Sequence, residues 1–257
     1  MKLTVLGCGS FFVSANQTAS AFLLETAGKK ILIDCGPGTL VRLSEQKVKL
    51  EDIDYVFLTH FHPDHSSDLF PLFMNYKLTD FFTPGTLTKF PEFFGPEGFD
   101  KFFLDYSHLC QLHSYENWKK IKLNDHQPEI KLGNITVKTF KVDHNAFGIF
   151  AKAYALRFEA EGKTIVFSGD SAICPGIRQA CQGADLFVCD TSYPKGKSAP
   201  SHMDTIDIGN ICQAGKVKKV VLTHFYPQFA DSDFVSEIKE NFNGEVESCH
   251  DGLKLEF

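Results

Sequence analysis

Short apolar runs that end in a histidine or an aspartate recur along the chain. The clearest covers residues 55–58 and is followed at once by Thr59 and His60. Runs of this length, bounded by polar or turn residues, are typical of buried β-strands. Six predicted strands carry such a residue at or just after the carboxyl end: Asp34, His60, His144, Asp170, Asp190 and His224. Because chance would scatter these side chains along the strands, the pattern indicates one rim at which they converge.

Two hairpins and several helices complete the predicted elements. Residues 19–33 and 153–167 each contain two apolar runs around a glycine-containing turn, which predicts β-hairpins. Further strands are predicted over residues 3–6, 135–142, 186–188, 219–222 and 253–257. Helices are predicted over residues 40–46, 66–77, 99–113, 177–181, 205–214 and 232–241. Pro71 is compatible with the second helix only near its first turn.

The densest polar group is the motif His60-x-His62-x-Asp64-His65, which follows a predicted strand. Imidazoles and carboxylates that leave water need protons, hydrogen-bond partners or a metal ion. Neutral imidazole nitrogens and carboxylate oxygens are ligands that zinc, manganese and iron accept. A polar turn that is rich in histidine by accident is the alternative. The matching positions of the other strand-end residues favour the metal site.

An internal repeat relates two distant parts of the chain. The sequence Val-Phe-Leu-Thr-His-Phe-His-Pro at residues 56–63 is echoed by Val-Val-Leu-Thr-His-Phe-Tyr-Pro at residues 220–227. Two αβ halves related by pseudo-symmetry, with the site between them, would produce such a repeat. Because no low-complexity segment or linker separates the halves, we predict a single domain over residues 1–257.

Composition narrows the class of protein. The net charge is −6, and only three arginines occur, which argues against a basic nucleic-acid surface. No apolar run approaches the length of a membrane span, and the amino terminus is too soon broken by glycine to be a signal peptide. The eight cysteines are scattered singly and read as small buried thiols in a reducing compartment. We therefore expect a cytoplasmic protein without a membrane partner.

The segment from about residue 79 to residue 119 is unusually aromatic. Eight phenylalanines lie between Phe81 and Phe103, interleaved with proline and glycine. Exposed aromatic side chains are typical of a lid over a pocket or of a partner interface, which makes a homodimer plausible. Packing in the core is the alternative, and the sequence leaves the three possibilities open.

The combined histidine and aspartate pattern resembles the metallo-β-lactamase superfamily over nearly the whole chain. This resemblance implies an α/β fold, a four-layer αββα sandwich with a dinuclear metal site at the strand ends. It implies that one metal ion is held by His60, His62 and His144. It implies that the other is held by Asp64, His65 and His224, and that Asp170 bridges the two. Asp34 matches the family's first motif and would orient the ligand loop as a hydrogen-bonding carboxylate. The resemblance also gives Asp64 a part in catalysis.

Two adjacent divalent ions have a clear chemical use. A single zinc ion lowers the pKa of bound water from about 16 to about 7, so that hydroxide is available at neutral pH. A hydroxide bridging two ions would be the nucleophile, and the ions would neutralise charge on the attacked group. Mixed histidine and aspartate sites accept Zn²⁺, Mn²⁺ or iron, with Zn²⁺ our first expectation. A closed structural zinc site would favour four ligands rich in cysteine.

The substrate class is suggested by a second resemblance, to ribonuclease Z, its phosphodiesterase relatives and the phosphoribosyl cyclic phosphodiesterases. The residues that carry it are the stretches 34–38, 168–171, 190–193 and 201–204, with a final Leu-Thr-His-Phe at residues 222–225. The resemblance implies that His202 contacts the scissile phosphate and protonates the leaving oxygen, and that Asp190 orients His202. A phosphodiester needs this proton because its alkoxide leaving group is poor. A helix-opening histidine without chemistry is the alternative for His202.

The expected substrate is a small or cyclic phosphodiester or a nucleotide. The long arm with which ribonuclease Z grips tRNA, where present, lies between the positions of His144 and Asp170, and here one predicted hairpin uses that interval. A large nucleic acid is therefore not expected as a partner, and tRNA 3′-end endoribonuclease activity remains an alternative. Hydrolysis of a carboxylic ester, lactone or thioester at the same site is another. A non-catalytic scaffold is a third, although the complete ligand set weighs against it. His108, His113, His126 and His250 match no motif and are read as structural or solvent-exposed.

Overall fold

The computed structural model describes residues 1–12, 17–110, 122–146 and 148–257, with the backbone alone for residues 149 and 150. Over these ranges two large sheets of seven strands each dominate the fold. The first sheet contains, in spatial order, β16 (Lys254–Glu256), β1 (Lys2–Gly7), β2 (Ala21–Thr26), β3 (Lys29–Ile33), β4 (Tyr55–Phe57), β5 (Glu92–Gly95) and β6 (Lys122–Asp125). The second contains β15 (Glu245–Ser248), β14 (Lys219–Thr223), β13 (Leu186–Asp190), β12 (Lys163–Phe167), β11 (Ala153–Ala160), β8 (Ile135–Val142) and β7 (Glu129–Leu132). The short strands β9 (Asn145–Ala146) and β10 (Ile149–Phe150) pair with each other.

Helices cover the outer face of each sheet. Those on the first sheet are α1 (Thr39–Glu45), α2 (Pro63–Ser66), α3 (Leu69–Phe82) and α4 (Phe99–Leu109). Those on the second sheet are α5 (Pro175–Ala180), α6 (Thr205–Ala214) and α7 (Phe234–Lys239). Two 3₁₀ turns cover Leu50–Asp52 and Pro227–Phe229.

The two sheets pack face to face, and the side chains along each strand alternate between two cores. In β3, Ile31 and Ile33 enter the core between the sheets, whereas Leu32 enters the core beneath the helices. This is the period of two that a strand imposes when both of its faces are buried. Across the sheets, the rings of Phe57 and Phe158 meet edge to face with centroids 5.3 Å apart. The layers form an αββα sandwich, which confirms the predicted fold class.

Most of the predicted elements are observed, and both hairpins are confirmed by antiparallel pairing. The predicted helix over residues 66–77 is instead divided into α2 and α3. Asp68 lies at the break, where its backbone N–H donates to the carbonyl of Cys35 and its carboxylate accepts from Gly38 and Leu40. These bonds tie the break to the loop after β3, and Pro71 falls in the first turn of α3. Strands β6, β7 and β15, and the short strands β9 and β10, have no counterpart among the predicted elements.

Parallel pairing brings the strand ends together. Strands β3 and β4 are parallel neighbours in the first sheet, and β12, β13 and β14 are parallel neighbours in the second. Asp34 and His224, each just after its strand, have left-handed backbone conformations with φ of 57° and 63°. Residues other than glycine adopt this region only where the surroundings hold them there, and functional sites are enriched in such positions. The repeated sequences supply β4 in one sheet and β14 in the other.

The aromatic segment serves the core in part. Among its described side chains, Phe93, Phe99 and Phe103 are buried, whereas Phe81 and Phe82 are 72% and 71% exposed. Residues 111–119 of the segment, and the last residues of the helix predicted over 99–113, lie outside the described residues. The use of this segment as a lid or an interface, and the single-domain organisation of the chain, stay predictions.

The cysteines agree with the expected reduced thiols. All eight are free, and seven of them are buried, with Cys110 exposed. Within the part of the chain that the structure describes, no helix has both the length and the apolar character needed to cross a bilayer.

Candidate metal centre

Histidine and aspartate side chains from both sheets converge on one rim of the sandwich. Two of the four-residue groups that they form contain the predicted ligands, and in each group one ligand atom from every residue lies within 4.8 Å of the others; a third group consists of Asp170, Asp190, His202 and His224. The first group is His60, His62, His144 and Asp170, and the second is Asp64, His65, Asp170 and His224. Asp170 belongs to both groups, as a bridging carboxylate would. The structure thus brings together all seven residues that the sequence predicts as ligands.

Several potential ligand atoms of these groups lie within hydrogen-bond distance of one another, and others have no hydrogen-bond partner. Nε2 of His144 lies 3.0 Å from Nδ1 of His62, and Nε2 of His224 lies 3.3 Å from Oδ2 of Asp170. Within these two groups, four buried donor or acceptor atoms make no hydrogen bond in the described structure: Nε2 of His60, Oδ1 of Asp64, Nε2 of His65 and Oδ1 of Asp170, the last two of which lie 3.1 Å apart. Buried polar atoms are rarely left unpaired, and a metal ion that binds them is one of the explanations for such atoms. The donor set, five imidazoles and two carboxylates, could therefore hold metal ions.

The first sheet supplies four of the seven through one loop and one short helix. His60 follows β4, and His62 precedes α2, whose first residue is Pro63. Asp64 and His65 lie on α2 itself and are buried. Because proline needs no backbone hydrogen bond at the first helical position, the chain can turn into a helix directly after His62.

Asp34 holds this loop from beneath. Its carboxylate accepts from the backbone N–H of Thr59 at 2.8 Å and lies 2.7 Å from Nδ1 of His65. The hydroxyl of Thr59 contacts the same carboxylate and lies 3.1 Å from Nδ1 of His60. With Nδ1 engaged in this way, the Nε2 atoms of His60 and His65 face the centre. These contacts match the role predicted for Asp34.

The second sheet supplies His144, Asp170 and His224 from the ends of β8, β12 and β14. Nδ1 of His144 lies 2.9 Å from the carbonyl oxygen of Ser201, to which it can donate. Nδ1 of His224 lies 2.8 Å from the hydroxyl of Ser192. Both imidazoles therefore direct Nε2 inward, as His60 and His65 do.

The electrostatics of the metal-free cluster are strongly coupled. Burial lowers the pKa of His60 well below its ordinary value, and the neighbouring His65 lowers it further. Burial alone would also lower the pKa of His224, but Asp170 and the other carboxylates outweigh it and raise that pKa to about 9. Burial works against ionised Asp170, yet the charges of His224 and His65 hold its pKa well below the usual range. The buried carboxylate charge is thus stabilised by positive partners. These are protonated imidazoles in the metal-free cluster, and a bound metal ion would take their place.

His202 and Asp190 form a pair beside the second group. Nδ1 of His202 lies 2.6 Å from Oδ2 of Asp190, and both side chains are buried. A ring nitrogen of His202 lies within 4.8 Å of ligand atoms of Asp170 and His224. The carboxylate of Asp190 is itself held by the backbone N–H groups of Ser171 and Ser192. An imidazole that donates from Nδ1 to a carboxylate has its other nitrogen available for proton transfer.

Three contributing residues were missed by the reading of the sequence. Thr59 joins Asp34 to His60, and the hydroxyl of Ser192 donates to Asp190 at 2.6 Å. The hydroxyl of Tyr226 lies 3.2 Å from Nε2 of His202. Thr59 and Tyr226 both lie in the internal repeat, which was the one available signal. The repeat is not a reliable guide, because the counterpart of Thr59 instead donates to the carbonyl of a cysteine in β13.

The mouth of the site is partly aromatic. Phe11 and Phe12 are 55% and 53% exposed, and their rings contact those of His62 and Tyr226 respectively. A cavity of about 640 Å³ is lined by Phe12, Tyr226 and Phe234, among others. On the other side, a cavity of about 460 Å³ is lined by His62, Phe61, Phe102, Lys101 and Lys152, among others. A substrate could therefore extend to either side of the histidine and aspartate groups.

The other described histidines lie outside these groups. His126 is buried, with Nε2 2.7 Å from the carbonyl oxygen of Leu58, whereas His108 and His250 are exposed. His113 lies outside the described residues. None of the described three belongs to a group that could hold a metal ion among the residues the structure describes.

A family model described as the beta-lactamase superfamily domain matches residues 29–225. The chain belongs to this superfamily. It also resembles a probable metallo-hydrolase, YhfI, of Bacillus subtilis (strain 168), at 29% identity over 100% of both chains. The crystal structure of the metallo-β-lactamase fold protein YhfI superposes with a TM-score of 0.82 at 25% identity, over 100% of this chain and 99% of that one. The protein is thus a metallo-hydrolase with the metallo-β-lactamase fold.

Two further similar proteins are a ribonuclease and a diphosphatase. Ribonuclease Z of Agathobacter rectalis is 23% identical over 94% of this chain and 93% of its own length. The crystal structure of a diphosphatase from the PhnP family has a TM-score of 0.70 at 21% identity, over 100% of this chain and 97% of that one. At this identity the structural likeness concerns the fold alone.

Proposed function

We propose that this metallo-hydrolase is a phosphodiesterase that acts on a small or cyclic phosphodiester or nucleotide. The observation that carries the proposal is the buried pair of Asp190 and His202 beside the two ligand groups. Hydrolysis of a strained lactam has little need of a separate proton donor. Expulsion of an alkoxide from phosphorus needs one, because an alkoxide is a poor leaving group.

In this proposal one metal ion is held by His60, His62 and His144, the other by Asp64, His65 and His224, and Asp170 bridges them. When bound, the ions supply Lewis acidity that makes hydroxide available at neutral pH and neutralises charge growing on the phosphoryl oxygens. The choice of Zn²⁺, ahead of Mn²⁺ or iron, and the number of two ions are part of the proposal. Elemental analysis of protein purified without chelators tests both.

The chain's own residues then have distinct tasks. Oδ1 of Asp64 is buried without a hydrogen-bond partner in the described structure, so it can accept a proton from, or orient, the attacking water. Asp190 fixes the imidazole of His202 through Nδ1, so that Nε2 faces the substrate. When the P–O bond breaks, its electron pair stays on the leaving oxygen and the proton on Nε2 of His202 passes to that oxygen.

Two features support a small substrate over tRNA. The interval between His144 and Asp170 contains β9, β10 and the hairpin of β11 and β12, which leaves little chain for a gripping arm. The net charge of −6 also offers no overall attraction to a polyanion. The names of the relatives, ribonuclease Z and a PhnP-family diphosphatase, support phosphate chemistry in general. Processing of tRNA 3′ ends is therefore the second candidate, and hydrolysis of an ester, lactone or thioester the third.

The test is a substrate panel with purified, metal-loaded protein. We expect cleavage of bis(p-nitrophenyl) phosphate and of cyclic nucleotides, with no comparable turnover of esters, lactones, β-lactams or precursor tRNA. Turnover of esters or lactones without any phosphodiester cleavage would reject the proposed substrate class. We expect His202→Ala to lose about 100-fold or more in kcat on cyclic nucleotides, as the loss of a general acid predicts. His250→Ala is the matched control, because His250 is exposed and belongs to neither ligand group.

We also propose a cytoplasmic homodimer. The eight free cysteines support a reducing compartment. The exposed side chains of Leu78, Phe81 and Phe82 support an interface near the carboxyl end of α3. Light scattering should give twice the chain mass for the wild type and the monomer mass for a variant with Phe81→Ser and Phe82→Ser. A monomeric wild type would refute the dimer.

A further inference from the structure

One polar contact beside the site is not used by the proposed mechanism. The hydroxyl of Tyr226 lies 3.2 Å from Nε2 of His202, the nitrogen that must face the substrate if His202 is the proton donor. Nδ1 of His202 is already engaged by Asp190 at 2.6 Å. Both nitrogens of this imidazole therefore have a partner, and its plane is fixed from two sides.

The tyrosine is itself held firmly. Its ring meets those of Phe12 and Tyr193 edge to face, with centroids 5.9 and 5.7 Å apart. It follows His224 by two residues, and His224 is anchored through a backbone bond from its N–H to the carbonyl of Cys8. The position of the Tyr226 hydroxyl is thus set by the packing and by the strand end that delivers a predicted ligand.

Tyr226 also lines the cavity of about 640 Å³. Nε2 of His202 is directed towards the Tyr226 hydroxyl, and that hydroxyl belongs to the wall of this cavity. The group that receives a proton from Nε2 must come within hydrogen-bond distance of Nε2, which itself lies 3.2 Å from the Tyr226 hydroxyl. A leaving group that meets Nε2 and the Tyr226 hydroxyl together would lie beside the cavity that Tyr226 and Phe12 line.

We propose that Tyr226 is a positioning residue for leaving-group protonation, an inference that rests on the proposed phosphodiesterase function. Before substrate binds, Nε2–H of the protonated imidazole of His202 donates to the hydroxyl oxygen of Tyr226, which holds the imidazole in its productive orientation. In the reaction the same hydroxyl donates a hydrogen bond to the leaving oxygen. As the P–O bond breaks, the electron pair stays on that oxygen, the proton comes from Nε2 of His202, and Tyr226 keeps its own proton.

The kinetic test compares a poor and a good leaving group in the variant Tyr226→Phe, which keeps the ring and removes the hydroxyl. For cyclic nucleotides, whose leaving group is a ribose alkoxide, we expect kcat to fall about 10- to 100-fold with little change in KM. For bis(p-nitrophenyl) phosphate, whose leaving group needs no proton, we expect a change of less than about threefold. A purely structural defect would reduce both activities alike.

Tyr193→Phe is the matched control. The ring of Tyr193 also contacts His202, with centroids 5.8 Å apart, and no hydrogen bond joins its hydroxyl to that imidazole in the described structure. We expect this variant to show no selective loss on cyclic nucleotides. Equal losses on the two substrates for Tyr226→Phe, or no loss on either, overturn the role of Tyr226 while leaving the phosphodiesterase proposal intact. A wild type that cleaves neither substrate overturns both.

A second measurement is independent of turnover. In metal-free protein labelled with ¹⁵N-histidine, the His202 resonances are identified by their loss in His202→Ala. We expect Tyr226→Phe to shift the Nε2 resonance of His202 and Tyr193→Phe to leave it in place, because only Tyr226 is hydrogen-bonded to that nitrogen. An unshifted Nε2 resonance in Tyr226→Phe overturns the proposed contact.

Discussion

Replacement of Asp34 by asparagine tests how the ligand loop is oriented. Asp34 has a φ of 57°, and asparagine is among the few residues that tolerate this conformation, so the backbone should be preserved. The amide oxygen of asparagine can still accept from the backbone N–H of Thr59. The amide NH₂ group takes the place of the carboxylate oxygen Oδ2, which lies 2.7 Å from Nδ1 of His65 in the wild type.

The expected magnitude follows from this one contact. In the wild type the carboxylate accepts from Nδ1–H of His65 and leaves Nε2 unprotonated towards the centre. An amide donor in its place favours the other tautomer, in which Nε2 carries the proton and is not a metal ligand. Loss of such an outer carboxylate costs about 10- to 100-fold in metal affinity, which corresponds to about 1.4 to 2.7 kcal/mol.

The assay is competition between the protein and a chromophoric chelator for Zn²⁺. We expect Asp34→Asn to weaken the affinity of one of two sites by that factor, while the other site, which lacks His65, changes less. Asp68→Asn is the control, because this carboxylate holds Gly38 and Leu40 on the same loop without contacting an imidazole of the cluster. Equal Zn²⁺ affinities in the wild type and Asp34→Asn would refute the reasoning.

Three further predictions concern metal removal, pH and the substrate mouth. Addition of a chelator should lower Tm by about 5 to 10 °C, because ions present at about 100 times their Kd contribute about 2.7 kcal/mol to the free energy of unfolding. An unchanged Tm would contradict metal binding to the folded state. Burial lowers the pKa of His126 to about 4 despite its contact with Leu58. The neutral form therefore stabilises the fold above pH 6.5, and up to about 3 kcal/mol is lost as the pH falls from 6.5 to 4. Urea unfolding at both pH values tests this, with His126→Gln as the non-titrating reference. Equal losses of unfolding free energy in the two proteins would contradict the prediction. Phe12→Ala should raise KM about 5- to 10-fold for substrates with a planar leaving group, and it should leave the turnover of bis-methyl phosphate unaffected. Val41→Ala, at another exposed apolar position, is the control and should change neither this KM nor this turnover.

The ligand set could be predicted because its chemistry leaves a mark on the sequence. His60, His62 and His65 are close in the chain, and strand ends are recognisable from apolar runs. His144 and His224 follow apolar runs far along the chain, and their assignment as ligands came from the family resemblance. Strand β14 has parallel neighbours, whereas β8 pairs antiparallel with β7 and β11, so parallel pairing alone does not explain the position of His144. The sandwich followed from the same pattern together with the family resemblance.

Apart from Asp34, the groups that orient the ligands could not be predicted in the same way. The partners of the four Nδ1 atoms are a carboxylate, two hydroxyls and a backbone carbonyl, and they come from different loops. Any residue type with an oxygen can serve, so the requirement imposes no spacing and no fixed residue type. Ser192 and Thr59 therefore carry no signature that distinguishes them from other hydroxyl residues. The break between α2 and α3 was missed for the same reason, since Asp68 supports it through backbone contacts.

The substrate is harder still to read from the sequence, because the walls beside the centre are built from residues without a characteristic chemistry. Phe12 and Phe234 lie on one side and Phe102 and Lys152 on the other, and each is brought there by a different element. What separates the two sides is the direction of His202, which depends on two contacts, one to Asp190 and one to Tyr226. If Nε2 of His202 meets the leaving oxygen, the cavity beside Phe12 selects the leaving group and the cavity beside Phe102 selects the retained group. Specificity for either half of the substrate should then be altered by substitutions on one side alone.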